Sequence, residues 1–140
     1  MTITHKRAKV TANLFGFLFF FLTIYFIIVR PSGFVSNHIH YGINAIVFIS
    51  CFIYYFIYLY KTNKKTNYVD ERDLGIQKKS HGISMILTLI YVYSICIVLF
   101  IINRDGNVVS VSWLWFIAYS TFAFAYFITS SIILYHYNKE

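Results

Sequence analysis

What this chain lacks is the first guide to what it is. Of its 140 residues only 12% are charged, and only five are acidic: Asp70, Glu71, Asp73, Asp105 and Glu140. A soluble domain carries about 25% charge and about 45–50% apolar residues, so an ordinary soluble enzyme is excluded. There is a single proline, Pro31, which excludes collagen-like and proline-rich disordered chains. Cys51 and Cys96 are the only cysteines, 45 positions apart with no Cys-x-x-Cys pair, so neither a disulfide framework nor a thiol-redox centre is expected. No Gly-rich phosphate loop, no His-Glu-x-x-His and no Ser/His/Asp constellation is present, and the expectation is that the chain is not an enzyme and needs no cofactor.

What is there is apolar and aromatic. Hydrophobic residues make up 59% and aromatic residues 21%, with 15 Phe and 13 Tyr. A helix needs about 20 mostly apolar residues to cross about 30 Å of hydrocarbon. Four runs reach that length: 10–29, 41–60, 82–102 and 111–135, and none contains Asp, Glu, Lys, Arg or His. The unbroken run from Phe17 to Leu22 does not alternate as a barrel strand does. The expected architecture is therefore an all-α, four-helix transmembrane bundle forming one domain over 1–140. The first run is too long for a signal-peptide core and is followed by Arg30-Pro31-Ser32-Gly33 instead of a cleavage site, so it reads as a retained span.

Loop charge sets the expected orientation. Lys6, Arg7 and Lys9 precede the first span; Lys61, Lys64, Lys65, Arg72, Lys78 and Lys79 lie between the second and third; Lys139 follows the fourth. Those are ten of the twelve basic residues, against Arg30 and Arg104 in the other two loops. Both termini and the loop 61–81 are expected on the cytoplasmic side of a cell membrane. The net charge of +7 is accounted for by this topology and by attraction to anionic inner-leaflet lipid. No nucleic-acid partner is expected, because the basic residues are scattered over several segments.

Two further patterns stand out. Phe26-Ile27-Ile28-Val29-Arg30 resembles Phe100-Ile101-Ile102-Asn103-Arg104, and Leu59-Tyr60-Lys61-Thr62-Asn63-Lys64 resembles Leu134-Tyr135-His136-Tyr137-Asn138-Lys139. Duplication and chance both account for this. A duplication implies two parallel-repeat helical hairpins about an axis along the membrane normal. Each span also carries small or weakly polar residues at spacings of three and four, as helix packing in lipid requires. These are Asn13, Gly16, Phe20 and Thr23; Asn44, Phe48, Cys51, Tyr55 and Tyr58; Ser84, Thr88, Tyr91 and Ile95; and Ala118, Thr121, Ala125 and Thr129. The last of these stripes is the expected close helix contact, with Phe127 off it. A polar cavity lined by Asn44, Tyr55, Tyr91 and Tyr126 is the functional alternative to plain helix–helix hydrogen bonding.

The least membrane-like segment runs from Tyr68 to His81. Asp70 is a favourable N-cap, Asp73 places negative charge in the first turn, and the third helix is expected to begin near Asp70 and project beyond the bilayer. Asp70-Glu71-Arg72-Asp73 followed by Ile76 and Lys79-Ser80 resembles the Asp-Glu-Arg-Glu/Asp-x-x-Ile-x-x-Lys-Ala/Ser loop of a family of small prokaryotic four-span membrane proteins of unknown function. Ser80 stands where Ala is more usual. The resemblance covers about ten residues and implies the architecture, not an activity. Spacing among the carboxylates and His81 matches no metal site, and His38-x-His40 lacks a third ligand.

No intramembrane carboxylate is available to a proton-coupled exporter. The expected function is a non-enzymatic binding, regulatory, immunity-like or accessory role, exerted on a membrane protein partner or a second copy through helix faces and the motif Asp70, Glu71, Arg72, Asp73, Ile76 and Lys79. The alternative is a passive channel or transporter component whose pore forms in an oligomer. Usage rich in Ile, Asn, Lys, Tyr and Phe points to an AT-rich bacterial genome.

Overall fold

The computed structural model describes residues 2–63, 70–106 and 108–139, and among these it is all helix and turn. Loop residues 64–69, which include Lys64 and Lys65, lie outside the described residues. Four helices follow in order: α1 Ile3–Ser36, α2 Ile39–Asn63, α3 Glu71–Ile102 and α4 Val111–Lys139. Each contains one of the four expected spans, and each is long and apolar enough to cross a membrane. The exposed large side chains along them, such as Ile27, Ile46, Ile86 and Phe100, are the surface that lipid contact requires.

α1 and α4 form the central pair, and α2 and α3 pack on that pair from the outside. A third of the most apolar stretch of α1 is buried, against 6% in α2 and in α3. The core is made by Phe15, Leu18 and Leu22 of α1 with Ala123 of α4. Phe15 stacks on Tyr126 at 4.6 Å between ring centres and meets Phe52 and Tyr55 of α2 edge-on at 5.3 and 5.2 Å. Gly16 lets α1 approach Phe127 closely: a Cβ at position 16 would stand 3.0 Å from that ring.

This arrangement corrects three expectations. The inward face of α1 is Thr4, Ala8, Thr11, Ala12, Phe15, Leu18 and Leu22; of the expected stripe, Gly16 is buried, but Asn13 and Phe20 are exposed. Phe127 is a central packing residue rather than an off-stripe one, because the ring covers Gly16. A two-fold axis relating the hairpins would make α2–α3 contact match α1–α4 contact, whereas α1–α4 is the most extensive pairing and α2–α3 is not among the substantial ones.

The turn between the first two spans is also shorter than the segment 30–40 expected as a loop. Helix continues to Ser36 across a break at Arg30, which has φ 62° and ψ 154°. The cause is Pro31: its ring disfavours helical conformation in the preceding residue, and it has no N–H to continue the ladder. The break is held from outside, since Ser112 of α4 donates to the Pro31 carbonyl at 3.0 Å. Phe34 is fully buried among Tyr25, Phe26, His40 and Tyr41.

Candidate functional site

The charged ends of all four helices meet at one end of the bundle. Arg7 of α1 donates through Nη2 to Asn63 Oδ1 of α2 at 2.5 Å. Thr4 of α1 donates to Asp73 Oδ2 of α3 at 2.9 Å, and the Tyr137 hydroxyl of α4 donates to Asp73 Oδ1. Gln77 Nε2 reaches Thr4 Oγ1 at 3.4 Å, and His5 meets the edge of the Tyr137 ring. Asp73 is 7% exposed, so its carboxylate is a buried junction of three helices. Tyr137 lies beyond the apolar stretch of α4; burial pushes its phenol above the ordinary value, and its bond to the Asp73 carboxylate pushes it the same way.

The recognisable motif thus divides into two faces. Asp73, Ile76 and Ser80, at spacings of three and four, point inward and are buried. Ile76 packs on Ala8 of α1 and Ile133 of α4. Ser80 is fully buried. Asp70, Glu71, Arg72 and Lys79 are exposed. Asp70 does occupy the N-cap position of α3, but its side chain makes no capping bond; the expected cap is corrected. The Asp70 backbone carbonyl accepts from Leu74 N–H at 3.1 Å, the ordinary first bond of the helix, and the acid that matters to packing is Asp73.

The four residues of the α4 stripe lie in different surroundings. Ser84 of α3 meets Thr129 Oγ1 at 2.5 Å and the Ala125 carbonyl at 3.4 Å, so Ala125 and Thr129 form the seam with α3. Thr121 is half-buried, while Ala118 is exposed and takes no part. The fully buried small residues of α4 are Ser112, Ser120 and Ala123, which the stripe omits.

Beside the Asp73 junction lies a cavity of about 450 Å³ lined by all four helices. α1 contributes Thr4, Arg7, Ala8 and Thr11; α2 contributes Tyr55 and Leu59; α3 contributes Gln77 and His81. Ala125, Tyr126, Thr129, Ser130 and Ile133 of α4 complete it. Tyr126 of that lining also packs against the rings of Phe15 and Phe52. Of the four residues weighed as lining a polar cavity, Tyr55 and Tyr126 do so. Tyr91 instead stacks on Phe124 at 4.3 Å, and Asn44 is buried elsewhere along α2. Arg7, Gln77 and His81 are cavity residues that the sequence does not single out, because the inward face of α1 emerges only in the fold. At the opposite end, His40 Nδ1 pairs with the Tyr25 hydroxyl at 2.7 Å and His38 is exposed.

Compared with family models, with curated proteins and with solved structures, the chain matches none.

Proposed function

We propose that this chain is a small multi-pass protein of a bacterial cell membrane that acts by association, as an accessory, regulatory or immunity-like subunit, and not by catalysis or coupled transport. The observation that carries this reading is the two-faced start of α3. Its inward side is fixed to α1 and α4 through Asp73, Ile76 and Ser80. Its outward side displays Asp70, Glu71, Lys78 and Lys79 on a helical turn held in place by that anchoring. A rigid, charged turn outside the apolar belt is suited to docking a partner, since charged pairs across an interface set specificity and register. The interlocked rings of Phe15, Phe52 and Tyr126 in the bundle favour association over a pore through the single bundle. Both termini and the 61–81 segment are assigned to the cytoplasm, because the basic residues gather at this end, and the loop motif is assigned to the four-span family that it resembles.

The test is co-purification from membranes. The paired reversal Glu71→Lys with Lys79→Glu should release a bound membrane partner while helix content stays unchanged. Retention of the partner at wild-type level defeats the reading. In a Cys51→Ser, Cys96→Ser background, Lys61→Cys should resist and Arg104→Cys accept an impermeant thiol reagent applied to intact cells. The reverse pattern overturns the orientation.

A further inference from the structure

The cavity beside Asp73 has features that the association reading does not use. Its volume of about 450 Å³ falls within the roughly 300–1,000 Å³ of small-molecule sites. Arg7 lines it: Nη2 donates to Asn63, while the buried Nε has no partner among the described residues. A buried donor without a partner is costly to keep, and a guanidinium fork suits a phosphate or carboxylate. Gln77 and His81 stand on the α3 wall. The rest of the lining mixes the apolar Ala8, Leu59 and Ile133 with hydroxyl-bearing side chains such as Thr11, Tyr55 and Ser130. Asp73 is not among the lining residues; it sits behind Thr4 and is turned to Thr4 and Tyr137.

A second groove, of about 320 Å³, shares His81, Ala125 and Thr129 with this cavity. It continues along α3 past Met85 and Leu89, which are 67% and 60% exposed. A polar basin at the basic end therefore runs into an apolar furrow on the lipid-facing side, a shape with room for a charged head and a long tail.

We propose that this pair of cavities binds one anionic glycerophospholipid, its phosphate on Arg7 beside His81 and an acyl chain in the α3–α4 furrow past Met85 and Leu89. A free anion needs the basin but not the furrow. A neutral lipid needs the furrow but gains nothing extra from Arg7. The site stands apart from the association reading, because its test reads lipid and no protein partner.

Native mass spectrometry of the full chain in detergent, titrated with phosphatidylglycerol or with phosphatidylcholine of the same chains, tests it. One phosphatidylglycerol per chain should be retained with about tenfold preference, the size of one charge-assisted hydrogen bond. Arg7→Gln should abolish the preference, and Arg104→Gln, at the other end of the bundle, should leave it intact. Leu59→Trp, which narrows the basin while leaving residue 7 unaltered, should lower retention of phosphatidylglycerol; it decides the matter alone should Arg7→Gln lose helix content. Equal retention of the two lipids, a preference that survives Arg7→Gln in a folded chain, or unchanged retention in Leu59→Trp overturns the proposal. So does displacement by inorganic phosphate at the concentration at which a short-chain phosphatidylglycerol displaces, which identifies a free-anion site instead.

Discussion

Asp73 is the residue on which the basic end of the bundle turns. Asp73→Ala removes the acceptor for both Thr4 and Tyr137, leaving Thr4 with the 3.4 Å approach of Gln77. Hydrogen bonds to a charged group contribute about 1.5–3 kcal/mol each. Tyr137 is half-buried and can regain a bond to water, which places the sum near the low end, about 3 kcal/mol. Asp73→Asn keeps one neutral acceptor and a similar shape, so about half of that loss is expected. Asp70→Ala, three residues away, removes an exposed carboxylate that makes no capping bond and should stay within about 0.5 kcal/mol of wild type. Unfolding of the detergent-solubilised protein by added SDS, followed by helical ellipticity, ranks the three. The order Asp73→Ala, Asp73→Asn, Asp70→Ala is expected, from most to least destabilising. If Asp70→Ala costs as much as Asp73→Ala, or if Asp73→Ala is indistinguishable from wild type, the buried junction is not what attaches α3.

Arg30→Gly should stabilise the protein by about 1 kcal/mol in the same titration, because φ 62° with ψ 154° is a region that essentially only glycine occupies without strain. Gly16→Leu should destabilise it by about 1–3 kcal/mol by driving α1 off the Phe127 ring, with Gly16→Ala milder; near-neutral Leu would mean that the α1–α4 approach is looser than described. Ala125→Leu should disturb the seam with Ser84 while Ala118→Leu is tolerated, to be read as a difference in SDS midpoint. For Tyr137 the sign follows from its raised value. A phenol whose pKa is higher in the folded state contributes its stabilisation fully below the unfolded value near 10 and loses it as pH rises through the folded value. Stability should therefore fall above pH 10, and less steeply in Tyr137→Phe, whose baseline is already lower.

The number of helices and their approximate extents were legible because each apolar run matches the bilayer thickness and is bounded by charge, which is a local property. The facing residues of α2 and α3 were legible too: Asn44 and Ser84 are buried, and Cys51 and Thr88 half-buried, on otherwise apolar helices where a polar residue has reason to turn inward. α1 was misread because its inward face is carried by Phe15, Leu18 and Leu22, which by type are as suited to lipid as to the core. Without a hydrophobic drive between helices, composition cannot tell a buried Phe from a lipid-facing one. The same degeneracy hid Phe127, whose burial depends on the absence of a side chain at Gly16, 111 positions away. The sequence shows Asp70 as a cap and Asp73 as first-turn charge because these are short-range patterns, whereas Thr4 and Tyr137 are brought to Asp73 only by the tertiary fold.

The placement of that acid has a physical logic. α3 is apolar nearly all round along its membrane stretch, and only 6% of that stretch is buried. Dispersion contacts with lipid and with a neighbouring helix are nearly equal, so such a helix gains little from one rotation about its own axis over another. What selects one rotation is directional bonding. Ser84 to Thr129 supplies it within the apolar stretch, and Asp73 to Thr4 and Tyr137 supplies it eleven residues earlier, with Ile76 and Ser80 on the same face between them. A carboxylate at depth in hydrocarbon would be expensive to ionise. Placed about two and a half turns before the apolar stretch begins, it binds two hydroxyls and still sets the rotation of the whole helix. The exposed residues Glu71 and Lys79 are then held at fixed angles around the same axis, and a rotation of α3 would carry the displayed face with it.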